Sequence, residues 1–445
     1  MHISTFILLL FFITACSNSL ETEEKPSVKP DKITADGNQN SPVYSKEVLY
    51  NKILGMLVGS AIGDAMGAPT EMWSRENIKI NYGFVDRLDT MVREPSAEGT
   101  WEYNLPAGGT TDDTRWKKLI MEFLIDSDNG FLDNSRTLDD QKFAEFIVSK
   151  YKKDIQSLKN TDGFSPEPFE VNARKMAWLQ EWAMVARPFA DKDLNGYSYA
   201  LNKFYGGEMT CAGMLYAPAI GAFFPSQPQL AYSETYKLCL FDIGYARDIS
   251  ALTGAMVAEA LRENPSKNAI LNVTRDIDPQ QYFKSRLVGR SAFRNYQTAK
   301  SIVYEVNQLE KNQIDLSQLT FPENQHFDTL KIARMQKAFE LLDQRNQDMP
   351  FHASEIFLVN LTAIMFCDFD FEASLAFVIN FGRDNDTTAA VTGAILGAFY
   401  GVDHLTEKMV KQVITVNKEK LGIDMEKLAN DFTMKIMKQQ DGATL

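Results

Sequence analysis

Apolar residues along this chain recur mainly at three- and four-residue spacing, without sustained two-residue alternation, so the pattern predicts helices and no strand series. The most strongly helical stretch is residues 50–67, YNKILGMLVGSAIGDAMG, which places Gly55, Gly59, Gly63 and Gly67 at strict four-residue spacing. On a helix these four share one face. Glycine costs stability inside a helix, so four in register predict a very close helix crossing. A second segment, residues 389–400, is rich in alanine and glycine and carries Gly393 and Gly397, with Gly401 next in the same series. The two glycine faces are predicted to pack against each other. A third helix presents Trp116, Leu119, Ile120, Phe123 and Leu124 on its apolar side. Residues 206–225 read as a glycine-rich loop entering a buried helix, 229–263 as one long alanine-rich helical stretch, and 353–381 as apolar helices. Residues 126–205 are polar but dotted with Trp178, Trp182, Phe189, Tyr197 and Tyr199, and read as peripheral helices and loops. Residues 264–350 are polar and irregular, with helical pieces near 296–309 and over Thr329–Asp343. The fold class is therefore all-α: one multi-helix domain over residues 46–440, with insertions around 126–205 and 264–350.

The first 45 residues break this pattern. Residues 1–15, MHISTFILLLFFITA, form an apolar run of signal-peptide length, too short for a comfortable membrane span. The run ends in Ile13-Thr14-Ala15-Cys16, which resembles the lipobox of bacterial lipoproteins, although the n-region has no Lys or Arg. That resemblance implies lipidation at Cys16, a lipid-anchored location in the bacterial cell envelope and, since Ser17 rather than Asp follows, a lean toward the outer membrane. Residues 16–45 are a polar tether unable to bury a core. As a random coil it would span about 30 Å.

Composition narrows the chemistry. The net charge of −13 and pI near 5.0 argue against a nucleic-acid partner, which would call for a basic stripe. Four histidines without helix-face spacing leave a His-rich zinc or copper site without support. No C-x-x-C, G-x-S-x-G, P-loop or G-x-G-x-x-G occurs, so redox, Ser–His–Asp and dinucleotide chemistries have no anchor. Cys211, Cys239 and Cys367 each sit among apolar residues and read as buried free thiols, one disulfide being the alternative.

Two acidic clusters remain. Thr111-Asp112-Asp113-Thr114 and Asp384-Asn385-Asp386-Thr387 both place two carboxylates and a threonine at the start of a helix. Either pair alone is explained by helix capping. Together they supply four carboxylates and several hydroxyls, with no His or Cys. That is hard-cation chemistry, Mg²⁺ first, with Mn²⁺ or Ca²⁺ behind it, and four carboxylates suit two ions better than one. Asp64 lies within the apolar run of the first helix, and Pro69 breaks that helix just before Glu71, a position suited to a catalytic acid.

The segments 59–71 (GSAIGDAMGAPTE), 111–114 and 384–387, in this order, resemble the ADP-ribosylglycohydrolase family, relatives of the dinitrogenase-reductase-activating glycohydrolase. The resemblance spans roughly residues 50–435. It implies an orthogonal helical bundle around a two-magnesium centre that hydrolyses the bond at the anomeric carbon of ADP-ribose or a related ribosyl or nucleoside substrate. By matching motif, Thr111, Asp112, Asp113, Asp384, Asp386 and Thr387 would bind metal, and Glu71 would be the catalytic acidic residue. Asp64, Arg383, Gly207 and Thr210 are the candidate substrate contacts. The family's Ser-x-Gly-Asn-Gly loop is changed here to a segment reading Glu208-Met209-Thr210-Cys211-Ala212-Gly213, and Arg383 replaces a Gly. The alternative implied by those departures is a non-catalytic ligand-binding lipoprotein that keeps the metal site as structure.

Overall fold

A computed structural model of the chain describes residues 44–92, 104–126, 137–159 and 177–442. The leader, Cys16 and all but the last residues of the tether lie outside the described residues. The body is built from α1 (Lys46–Gly67), α2 (Arg75–Tyr82), α3 (Asp112–Ile125), α4 (Asp140–Lys159), α5 (Gln180–Ala190), α6 (Leu194–Leu201), α7 (Ala217–Phe223) and α8 (Pro228–Leu238). It continues with α9 (Ala246–Ala260), α10 (Lys267–Asp276), α11 (Ser291–Asn307), α12 (Thr329–Asp343) and α13 (Ala353–Phe366). The last helices are α14 (Phe371–Phe381), α15 (Asn385–Tyr400), α16 (Glu407–Val416) and α17 (Met425–Gly442). The strand content among the described residues is one antiparallel pair, Met91–Val92 with Asn104–Leu105. The all-α expectation holds.

The central contact is α1 against α15. A Cβ placed on Gly55 would lie 2.4 Å from Gly397 O, on Gly59 2.5 Å from Gly393 O, and on Gly63 2.1 Å from Ala389 O. No side chain fits in such gaps, so the two backbones touch along the shared glycine ladder. The seam runs to the end of α1, where a Cβ on Gly67 would sit 2.4 Å from Asp386 Cα. By length and composition α1 could cross a membrane, yet its apolar window is wholly buried inside the fold. Ser45 caps its start by accepting from Val48 N at 3.3 Å. Lys52, buried in α1, donates to Ala260 O (3.2 Å), Ala398 O (3.1 Å) and Phe399 O (3.1 Å), closing the C-terminal ends of α9 and α15 with one ammonium. Burial lowers the Lys52 pKa to about 8.

Two sequence expectations are corrected. The stretch 229–263 is two helices, α8 and α9, separated where Arg247 Nε bonds Cys239 O at 2.9 Å and Asp242 accepts from Gly213 N at 2.7 Å. The region 126–205 is not peripheral throughout. Trp182 is buried, with ring centroids 4.2 Å from Trp116 and 4.7 Å from Phe241, and Trp178 lies 5.4 Å from Trp116. Average polarity hid the inward face of α5, where Trp182, Ala183, Val185 and Ala186 are all buried. Cys211, Cys239 and Cys367 are buried free thiols.

Candidate active site

Three chain segments far apart in sequence end at one cavity of about 60 Å³. The first comes off α1. Pro69 opens a short 3₁₀ turn, Ala68–Thr70, which stops the helix and delivers Glu71 to the cavity wall. The second is the start of α3, bringing Thr111, Asp112 and Asp113. The third is the start of α15, bringing Asp384, Asp386 and Thr387. All seven of the predicted metal and acid residues therefore line the same space.

Direct bonds join the two acidic clusters. Thr111 Oγ1 donates to Asp386 Oδ2 at 3.3 Å, and Thr387 Oγ1 donates to Asp113 Oδ2 at 3.0 Å. Asp113, Asp384 and Asp386 are almost fully buried. A buried carboxylate resists ionisation, and neighbouring carboxylates resist it further. Burial, then the neighbouring Asp113, Glu71 and Asp64 charges, holds Asp112 well above its ordinary range, with Arg115 opposing. Burial, then Glu71 and Asp384, does the same to Asp386. Asp384 is pushed up to about 8, first by burial. Asp113 is raised by burial and held back by Lys117, whose Nζ lies 3.5 Å from Asp113 Oδ1.

Among the described residues, no three carboxylate, imidazole or thiolate groups form a ready-made metal cage. The donor set nevertheless fits a hard cation. It is made of oxygens from four aspartates and two threonines, the cations acting on it are Lys117 and Arg115 against four carboxylates, and Asp386 Oδ1 is buried with no hydrogen-bond partner. A soft group stands beside this set: Cys211 Sγ lies 3.7 Å from Asp384 Oδ2.

The four candidate substrate contacts divide. Thr210 lines the cavity, and its buried Oγ1 has no partner. Gly207 sits in a turn with φ +78°, outside the cavity lining. Asp64 is a correction. It is fully buried beneath the cavity, where Oδ1 accepts from Thr111 N (2.9 Å) and Oδ2 from Thr114 N (3.1 Å) and Thr114 Oγ1 (2.6 Å). Its role is to cap α3 and hold the first cluster, and burial followed by the Asp113 charge raises it to about 7. Arg383 is a second correction, because its side chain leaves the cavity. Nε and Nη2 bind the buried carboxylate of Glu355, Nη2 at 2.9 Å, and Nη2 also donates to Gln347 O at 2.6 Å. Its backbone, at φ +64°, bridges the Glu71 turn, with Met72 N bonding Arg383 O at 2.8 Å and Arg383 N bonding Trp73 O at 2.9 Å.

Sequence reasoning missed the apolar wall. Met72, Trp182, Tyr205, Leu215 and Phe351 complete the lining with Cys211 and Ala212. Phe351 follows a polar stretch that carries no periodic signal. It is held beside Thr210 and Cys211 by an isolated bridge, Thr210 with His352, and by Cys211 N bonding Phe351 O at 2.9 Å.

Comparison with known proteins bears on the family and the fold. The sequence profile of the ADP-ribosylglycohydrolase family matches residues 45–442. A solved structure described as an ADP-ribosylglycohydrolase-related protein complex superposes with a TM-score of 0.51 at 16% identity, covering 87% of this chain and 99% of that one, which speaks to fold alone. The uncharacterized protein YegU of Escherichia coli (strain K12) is 35% identical over 75 residues, a match spanning 17% of this chain and 21% of that protein. With the family profile running from the start of α1 to the last helix, the chain belongs to the ADP-ribosylglycohydrolase family, whose activity is that of a glycohydrolase.

Proposed function

We propose that this protein is a magnesium-dependent hydrolase that cleaves the glycosidic bond of an ADP-ribosyl or related ribosyl or nucleoside substrate, working in the cell envelope from a lipid anchor at Cys16. The observation that carries the reading is the convergence of Glu71 with four aspartates from two distant helix starts on one cavity. Thr111, Asp112, Asp113, Asp384, Asp386 and Thr387 would hold two Mg²⁺ ions, with Mn²⁺ as the substitute. Bound there, the cations supply positive charge to ribose hydroxyls and lower the pKa of bound water.

The chain's own residues do the rest. Glu71 is partly exposed and lines the cavity, the position from which a carboxyl group serves a leaving group. It moves a proton at the glycosidic oxygen or nitrogen as the anomeric bond breaks. Glu71, the cavity carboxylate not assigned to metal, becomes anionic as it gives up that proton, and its charge favours the oxocarbenium-like transition state. Trp182, Tyr205 and Phe351 give the remainder of the substrate an apolar wall that excludes water. The anchor and the envelope location rest on the sequence of residues 1–16.

The test is a substrate screen. The protein is incubated with Mg²⁺ and ADP-ribosylated arginine, ADP-ribosylated serine, ADP-ribose polymer, nucleosides and simple ribosides, beside Glu71→Gln. Release of ribosyl product by wild type and its loss in Glu71→Gln, with Mg²⁺ binding retained, supports the proposal. Ligand binding without product from any substrate would make the protein a binder that keeps the metal site as structure.

A further inference from the structure

The segment that follows Asp278, whose carboxylate accepts from Tyr282 N at 2.9 Å and Phe283 N at 3.0 Å, runs through the loop before α11 into that helix and has a composition unlike the rest of the chain. From residue 279 to residue 304 there is no Asp or Glu, in a protein of net charge −13, while Lys284, Arg286, Arg290, Arg294 and Lys300 all fall within it. Six consecutive residues, 283–288, are exposed. Two of them form an apolar tip: Leu287 is 97% exposed and Val288 53% exposed, with Phe283 43% exposed beside them. Single exposed apolar residues are ordinary, but an adjacent Leu-Val at a loop tip flanked by cations is not.

The loop is held rigidly from below. Arg290 is buried, bonding Asp248 through Nε at 3.0 Å and Nη2 at 2.7 Å, and donating through Nη1 to Thr274 O at 3.1 Å and Ile277 O at 2.6 Å. Phe283 packs on Phe293 with centroids 5.3 Å apart. Arg294 donates to Val288 O, which brings its guanidinium to the tip. Among the described residues no carboxylate pairs with Lys284, Arg286 or Arg294. The fold thus spends a buried ion pair on presenting an unpaired basic and apolar tip to solvent.

We propose that this tip docks the protein on an anionic lipid bilayer, with Leu287 and Val288 entering the acyl boundary while Lys284, Arg286 and Arg294 meet the acidic headgroups. Charge complementarity selects the partner: cations around an apolar point match a surface with anions above hydrocarbon. A nucleic acid would use the cations and leave the Leu-Val tip without purpose. The contact is separate from the lipidation expected at Cys16 and from the catalytic cavity.

The test uses residues 41–445, which form one self-contained unit without the leader. Co-sedimentation is measured with vesicles of phosphatidylcholine containing phosphatidylglycerol, and with pure phosphatidylcholine, at low and high salt. Binding is expected to the anionic vesicles, weakened at high salt, with about fivefold lost per cation neutralised in Lys284→Gln and Arg286→Gln. Leu287→Ser with Val288→Ser should weaken binding again at unchanged melting temperature. Leu287→Trp should report entry by a blue shift in tryptophan emission on anionic vesicles. No binding, equal binding to neutral vesicles, or no emission shift would overturn the proposal. So would tighter binding to RNA than to vesicles with Leu287→Ser having no effect.

Discussion

The glycine ladder between α1 and α15 makes a graded prediction, because one end lies far from the cavity and the other touches it. Consider Gly67→Ala. The new methyl would lie 2.4 Å from Asp386 Cα and 2.6 Å from Asp386 N, about 1 Å inside ordinary contact. Backbone cannot rotate away as a side-chain tip can, so the start of α15 must move. Overpacking of this kind costs about 1–3 kcal/mol, against which Ala recovers up to about 1 kcal/mol of helix propensity. With the full propensity gain the net loss is about 0–2 kcal/mol, read as a lower melting temperature. The same arithmetic applies to Gly55→Ala, whose methyl would meet Gly397 O at 2.4 Å and Gly401 C at 2.7 Å. Only Gly67→Ala displaces Asp386. It should weaken Mg²⁺ binding about tenfold or more, as loss of ligand support does, whereas Gly55→Ala should leave Mg²⁺ affinity near wild type. Calorimetric titration with Mg²⁺ and thermal melts of the two variants decide the matter. Equal Mg²⁺ affinity in Gly67→Ala and wild type would refute the link between the seam and the cavity.

Metal-free protein should lose stability as pH rises. The Asp384 carboxyl, pushed up from 3.8 to about 8, holds its proton more tightly folded than unfolded. Its stabilisation is full below the unfolded value and is lost between about pH 4 and pH 8. In EDTA the melting temperature of wild type should therefore fall over that range relative to Asp384→Asn, and Mg²⁺ should abolish the fall by replacing protons; a flat difference between the two proteins would count against the four-carboxylate reading. Lys52 has the opposite sign. With its folded pKa lowered to about 8, its charged form is the disfavoured one, so wild type should gain stability relative to Lys52→Met as pH rises from 8 to 10. Around pH 7, Lys52→Met should still cost about 1–3 kcal/mol in urea melts, because three carbonyls lose their donor. Trp182→Phe should keep the fold and raise KM for the accepted substrate with kcat little changed; a change confined to kcat would remove Trp182 from the binding wall.

Legibility in the sequence depended on how local the signal was. Glycine spacing announced the seam in both partners, because a face without side chains has few other uses. The acidic clusters announced the site, because both sit at helix starts and share one donor chemistry. Asp64 was visible but misread: a lone carboxylate inside an apolar helix looks functional until its two oxygens are found capping α3. Arg383 was misread for the same reason, its partner Glu355 being 28 residues away with no periodic link.

The sequence by itself determined the helices, the close crossing of α1 with α15, and the seven oxygen-bearing residues of the cavity, since each follows from spacing, capping or residue chemistry along a short span. Only the tertiary structure decided which apolar side chains face those oxygens. Trp182, Tyr205 and Phe351 come from segments whose local patterns are polar or irregular, and they become a wall through long-range packing: Trp182 on Trp116, Phe351 bonded to Cys211 across an isolated bridge. Composition along one segment carries no information about such meetings, because burial is a property of the whole fold.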